Sequence, residues 1–339
     1  MTLPVVHETI LWEALRAPSA HNAQPWRLVP TADGGYELHY DHLDYLPHDP
    51  DDRDAYLAIG AFLETLDLAA QRHGHGAVLE PRYLRDGSDL FVGVVRLLHT
   101  TWMDPLAGPA AYRQTNRHPY HRSPLPNELR ADLERLGCAL VPPKRVARLV
   151  ARASLLSWRD RRFVADLDRW TSGDPDATAG MTPAGLPLNA VEWAALRMAF
   201  RIGRLPAPLA LLYSSRDIRL LRRAPAVAVL GAPDLSPPAL VDAGRRLLRC
   251  WVTITAAGYA YHPISIAVDR PETAPEVAAV AGVAVPVAVF RIGRPTRPAP
   301  ESNRRPLAEV LRPARPERAD RAAAGDNRSA AADMRSGTR

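Results

Sequence analysis

The sequence predicts an α+β protein of two tandem halves, each a small mixed sheet with flanking helices. Three observations point there. Short strand-like runs and amphipathic helices recur in two successive sets. Gly60 opens a Leu/Ala-rich helix ending Leu-Ala-Ala and closing at Gly74, and Gly244 opens a similar one ending Thr-Ala-Ala and closing at Gly258; both spacings are fourteen residues. Each helix is followed later by a strand ending in arginine, Val94-Val95-Arg96 and Val289-Phe290-Arg291.

In chain order, an amphipathic helix is expected over Val5 to Arg16, then a loop from Ala17 to Pro25. Strands follow at Trp26–Pro30 and Tyr36–Tyr40, joined by the turn Asp33-Gly34-Gly35. Asp51 or Asp52 is placed to cap a long helix reaching about Gly74, with Leu57, Ala61, Leu66 and Leu68 among its apolar positions. Val78–Leu84 and Leu90–Leu98 read as strands. The second set has a polar, arginine-bearing loop at Tyr112–Pro124, helices at Asn127–Leu136 and Arg145–Trp170, and a strand at Ala226–Leu230. It ends with a helix at Leu240–Gly258 and an apolar strand at Val285–Ile292. The halves are bounded as 1–108 and 109–311, with an insertion at 170–215 that reads either as a loop plus a core helix (Val191–Arg201) or as a lid over a pocket. Residues 312–339, rich in Ala, Arg and Asp, are expected to form a disordered tail.

Composition narrows the function classes. The chain has 339 residues, 47% hydrophobic and 24% charged, as in soluble globular proteins, and no apolar run is long enough to span a bilayer. Without a basic segment followed by an apolar one at the N-terminus, the expected location is cytoplasmic. Two cysteines, Cys138 and Cys250, are too few for a disulfide framework or a cysteine zinc site. Of the +6 net charge, +3 falls in residues 312–339, so a nucleic-acid-binding face has little support. The arginine bias, with Lys144 the single lysine, reflects codon composition first. No Gly-x-Gly-x-x-Gly, P-loop or Gly-x-Ser-x-Gly motif is present, and neither His73/His75 nor His118/His121 has metal-ligand spacing, so no metal and no protein acid or base is expected.

Three segments carry candidate chemistry. Pro18, Ser19, Asn22 and Gln24 lie on the loop that leaves the first helix; their short donors and acceptors suit the polar edge of a planar heterocycle, or equally a helix exit with local caps. Arg113, Thr115, Asn116 and Arg117 form a compact donor cluster suited to phosphate, since guanidinium forks bind phosphate oxygens bidentately. Arg304 and Arg305, in Asn303-Arg-Arg-Pro-Leu307, could add a guanidinium to the same anion. Taken singly, such basic runs are more often solvated surface.

Together the segments resemble one family. Pro-Ser-x-x-Asn-x-Gln-Pro-Trp is similar to the signature loop of the FMN-dependent nitroreductases, and Arg113-x-Thr-Asn-Arg117 resembles their phosphate loop. The Gly244–Gly258 helix followed by Tyr261-His-Pro-Ile-Ser265 resembles their glycine helix and the strand edge facing the flavin's central ring, and Arg304-Arg305-Pro306 their C-terminal basic contact. The resemblance spans about residues 5–311. Members are usually homodimers of shorter chains; here each motif occurs once, split between the halves, a pattern similar to the Acg-type branch, whose single chains carry two nitroreductase-like halves. The resemblance implies that the halves pack as an intrachain pseudo-dimer holding one FMN per chain, with Arg113, Thr115, Arg117 and Arg304 (or Arg305 in its place) at the phosphate and Pro18, Ser19 and Asn22 at the ring. Pro263, Ile264 and Ser265 would lie near the reactive nitrogen. It implies a ping-pong hydride transfer from NAD(P)H through FMN to a small-molecule acceptor, by a monomer or weak homodimer. A flavin-sequestering role with a lidded site is the alternative.

Overall fold

The computed structural model describes residues 3–41, 46, 49, 52–86 and 89–313. All of the expected disordered tail beyond residue 313 lies outside them, as does Asp51, one of the two expected caps.

Two four-stranded sheets of the same order organise the chain. The first is β1 (Trp26–Pro30), β2 (Tyr36–Tyr40), β4 (Asp89–His99) and β3 (His75–Asp86). The second is β5 (Cys138–Val141), β6 (Ala226–Ala232), β8 (Val285–Gly293) and β7 (Ala260–Pro263). All ladder pairings are antiparallel, which corrects the expectation of mixed sheets. Among the described residues, the single parallel contact to a named strand is a bridge from Leu311 to Leu28, by which the C-terminal segment returns to the edge of the first sheet. Connectivity matches too. Each first strand follows a short helix, α1 (Val5–Ala14) or α4 (Asn127–Arg135), and each second strand leads into a twenty-residue helix, α2 (Arg53–Arg72) or α9 (Pro237–Ala256).

The long helices cross where glycine faces glycine. A Cβ on Gly60 would lie 2.0 Å from the Val241 carbonyl oxygen, and one on Gly244 would lie 2.2 Å from that of Leu57. Only residues without a side chain allow this approach. One apolar core runs from the inner face of the first sheet (Trp26, Leu28, Leu38) through Phe62 and Leu247 to that of the second (Ala228, Phe290).

The halves differ in what covers their outer faces. β2 alternates buried and half-buried residues, as a strand with one wet face should. β6 is apolar along its length because its other face is also covered: Val227 and Val229 pack against Val146 and Val150 of α5 (Pro143–Arg159). That cover comes from the β5–β6 connection, which runs through α5, α6 (Arg161–Arg169), α7 (Ala190–Ile202) and α8 (Ala207–Arg223). In the first half, five residues join β1 to β2. The whole β5–β6 connection covers residues 142–225.

Several expected elements need correction. The helix expected at Arg145–Trp170 is two, broken at Asp160, whose carboxylate accepts from the Arg162 amide and caps α6. Asp52 stands at the cap position of α2, but its side chain pairs with Arg85; the Asp49 carboxylate accepts from the Asp54 and Ala55 amides instead. Val191–Arg201 is helical as expected, yet it is only part core, since Val191 and Met198 are exposed. One short strand, β5, and helices α8 and α10 (Ala274–Ala281) were not expected, while β7 covers the start of the strand edge expected at Tyr261–Ser265.

Candidate functional site

Between the halves lies a cleft of two adjoining lobes, of about 310 and 380 Å³. They share Pro18, Ser19, His21, Thr115, Arg117 and Met181. The smaller lobe adds Arg16, Asn22, Arg113, Arg304 and Arg305. The larger adds Trp251, His262, Pro263, Ile264 and Ser265. Eleven of the thirteen residues singled out in the sequence thus line one cleft, although they lie as far apart in the chain as Pro18 and Arg305.

The other two act behind it. Gln24 is fully buried, and its amide donates to the Asn22 and Thr178 carbonyls and accepts from the Arg305 amide. It thereby ties the first half's loop to the insertion and to the C-terminal arginines. Asn116 is 2% exposed; its side chain donates to the Arg297 carbonyl and accepts from the His118 amide, while its own amide donates to the Tyr261 carbonyl. These bonds lay the loop along β7, so neither side chain faces a ligand. The Pro18–Gln24 turn is wound tightly, with His21, Asn22 and Gln24 all in the left-handed region that non-glycine residues rarely enter. Ser19 steadies it by accepting from the Gln24 amide at 2.9 Å.

The smaller lobe is lined by five arginines and, among the described residues, no carboxylate. Arg113 donates to the Tyr261 hydroxyl at 2.5 Å and to the Arg16 carbonyl at 2.9 Å; Arg304 donates to the same carbonyl at 3.3 Å. Among the described residues, no carboxylate bonds Arg113, Arg117 or Arg304, and the Arg304 Nε is buried without a partner. Burial, with Arg113 and Arg16 alongside, pushes the Arg304 guanidinium down to about 9. Several cations held together without an acid are stabilised by an incoming anion, and the donors present suit a phosphate.

The larger lobe is a slot. Its floor is apolar, with Ala58 and Ala61 from α2 and Leu247 and Trp251 from α9; Trp251 stacks on Tyr261 at 4.5 Å between centroids. Phe163 and Leu167 of α6 and Met181 also line it. Of the Pro263–Ser265 segment's two backbone N–H groups, that of Ile264 is committed to the Val289 carbonyl at 2.7 Å. That leaves Ser265, first residue of the 3-10 turn Ser265–Ala267. The expected lid divides in two. Gly180–Gly185 reaches the cleft, and Arg117 donates to the Gly185 carbonyl at 3.1 Å. The apolar stretch 186–212 turns away: Leu188, Trp193, Leu196 and Leu205 pack on Trp158 and Val164.

Sequence reasoning missed Arg16, Phe163, Asp217, Trp251 and His262. One signal pointed towards His262. Arg291 sits inside an otherwise apolar strand and is fully buried, which demands partners: its Nε donates to His262 Nδ1 at 3.1 Å, its Nη2 to the His118 carbonyl, and it stacks over Tyr120. The corresponding Arg96 is a surface residue paired with Asp33 and Glu80, so the repeated strand-ending arginine does two different jobs. Burial, with Arg291, Arg117 and Arg216 nearby, holds the His262 imidazole well below its usual range. Burial pushes the Asp217 carboxyl up, and that of Asp269, paired with Arg53 at the far end of the slot, to about 6.

Comparison with known proteins places relatives beside this geometry. No family model matches the chain. Two proteins from different strains of Mycobacterium tuberculosis, both named putative NAD(P)H nitroreductase, are 29% identical over 324 residues, 89% of this chain and 90% of theirs. Among solved structures, an FMN-dependent nitroreductase from Mycobacterium smegmatis in complex with NADPH is 22% identical, with a TM-score of 0.37 over 62% of this chain and all of that one. The NADPH:FMN oxidoreductase from Vibrio harveyi complexed with NAD+ is 12% identical, with a TM-score of 0.34 over 68% of this chain and 85% of that one. Among the described residues, no helix is long and apolar enough to cross a membrane.

Proposed function

We propose that the chain is a nitroreductase-family oxidoreductase that holds one FMN in the cleft and passes hydride from NAD(P)H to a small-molecule acceptor. One observation carries the reading: the Pro-Ser loop, the Arg113–Arg117 loop, the Pro-Ile-Ser segment and the C-terminal arginines, scattered in sequence, line a single cleft with a cationic end and an apolar slot. The names of the M. tuberculosis relatives, matched over nine-tenths of their length, support it.

The residues fit the cofactor. Arg113, Thr115, Arg117 and Arg304 would hold the phosphate, and the partnerless Arg304 Nε is a donor left for it. The ring system would lie in the slot over Trp251 with its central edge towards Ser265. When bound, FMN supplies the hydride chemistry; the protein supplies position, a dry slot and access. The halves, drawn at 1–108 and 109–311, each give one side of the site, so the chain would bind flavin as a monomer. No mirror-image site is built. Where the first half has an eleven-residue loop between α1 and β1, α4 passes to β5 through Leu136 and Gly137 alone, and β3 runs on where β7 gives way to a 3-10 turn.

The purified chain should release close to one FMN per chain on denaturation, and no FAD; two flavins per chain would exclude the single site. A second reading, flavin sequestration, is favoured by the apolar side chains that α6 brings to the cleft, Phe163 and Leu167. If they cover the ring, stopped-flow reduction by NADPH should quicken in Phe163→Ala with FMN affinity unchanged. If neither the wild type nor this variant is reduced by NADPH or NADH, the reductase reading fails and sequestration stands.

A further inference from the structure

Two polar groups in the slot have no role in holding a phosphate or stacking a ring. His262 and Asp217, from β7 and α8, line the same lobe near Arg117. The protonation of His262 follows from its partner. A guanidinium only donates, so the Arg291 Nε bonded at 3.1 Å makes His262 Nδ1 an acceptor, and the single imidazole proton sits on Nε2. Nε2 has no partner among the described residues and belongs to a ring in the cleft wall, so it is a donor available to a ligand. The Asp217 carboxylate likewise has neither hydrogen bond nor ion pair among the described residues, although it is drawn to Arg117, Arg216 and Arg291. It is an acceptor without a donor. A donor on the buried His262 ring and an acceptor on the half-buried Asp217, both open and both lining one lobe, suit a ligand edge carrying the opposite pair, an N–H beside a C=O.

We infer that Asp217 and His262 read an imide or amide edge, and that this edge is the pyrimidine ring of the flavin, with its N3–H donated to Asp217 and the adjacent carbonyl accepting from His262 Nε2. The inference rests on the FMN reading above. The carboxamide of an incoming nicotinamide has the same chemistry and is the other source. The flavin is favoured because Arg117 lines both lobes, so the wall carrying Asp217 and His262 is continuous with the phosphate end that anchors the same molecule.

The test compares FMN with 3-methyl-FMN, which lacks the N3 proton, by quenching of flavin fluorescence on titration. Wild-type protein should bind 3-methyl-FMN roughly 10- to 100-fold more weakly than FMN, the span of one hydrogen bond to a charged group. Asp217→Ala should bind both flavins within about threefold of each other, a loss of discrimination that a purely structural role would not produce. Asp217→Asn, close in shape and still an acceptor, should retain part of the preference and serves if the alanine variant does not fold. His262→Phe should weaken both flavins by a similar factor, because the carbonyl is common to them. Equal binding by the wild type, or discrimination that survives Asp217→Ala, would overturn the assignment. Loss of NADPH binding to flavin-loaded Asp217→Ala with discrimination intact would assign the pair to the nicotinamide and overturn it too. Failure of the wild type to bind either flavin would instead refute the FMN reading.

Discussion

The crossing of α2 and α9 gives the most direct test of the two-halves architecture. Alanine at Gly60 would place its Cβ 2.0 Å from the Val241 carbonyl oxygen, and alanine at Gly244 2.2 Å from that of Leu57, about 1.2–1.4 Å inside ordinary van der Waals contact. Both opposing atoms are helical backbone and cannot swing aside, so the helix axes must part by about an ångström. Overpacking typically costs about 1–3 kcal/mol, and a backbone-on-backbone clash belongs at the upper end. Alanine's better helix propensity returns up to about 1 kcal/mol. Each single substitution should therefore lower unfolding stability by about 2 kcal/mol, measured by urea denaturation of the flavin-free chain. Because both glycines sit at one crossing, a separation that admits one methyl group makes room for the other, and the double variant should fall short of the sum by about 1 kcal/mol or more. Gly108→Ala, with nothing within 4 Å of its added carbon, is the control and should change little or stabilise slightly. A Gly60→Ala variant as stable as that control, or a strictly additive double variant, would refute the shared crossing.

Other predictions follow from the cleft and the core. Arg113→Ala, Arg117→Ala and Arg304→Ala should each weaken FMN binding by roughly 10- to 100-fold in equilibrium titrations, while the exposed Arg162→Ala should not; equal losses in all four would remove the phosphate assignment. Because the folded-state affinity of His262 for protons is held well below its ordinary 6.5, the unfolded chain binds the extra proton as pH falls through that value. The wild type should thus lose about 2 kcal/mol relative to His262→Phe between pH 6.5 and 5, and parallel stability curves would contradict this. Cys138 and Cys250 are buried, their sulfurs 3.3 Å apart, and the Cys250 thiol is pushed well up by that contact and by burial. Iodoacetamide should modify neither in the native protein and both after unfolding, by mass spectrometry.

What the sequence disclosed depended on how local the determining physics was. β1 and β2 match their expected bounds because a two-glycine turn and a period-two pattern are properties of adjacent residues. The break at Asp160 was hidden because the apolar period continues across it, and only the partners of Asp160 make it a cap. β5 escaped notice since four residues carry no period. At the site, loop motifs announced themselves by dense polar spacing, whereas Asp217, Trp251 and Phe163 sit at unremarkable positions on helices and acquire a role only through the packing of α8, α9 and α6. Gln24 and Asn116 show the reverse: polar side chains inside a motif whose hydrogen bonds are all turned inward.

The contrast between Arg96, at the surface, and Arg291, deep against His262, has a consequence for how such a molecule can change. In a homodimer every substitution appears twice, so a residue beneficial at one pocket is imposed on the other. A single chain with two like-connected sheets is released from that copying rule. One locus can sharpen its pocket while the other abandons its own, and redesign of the cleft needs only one codon per position, with no twin to disturb.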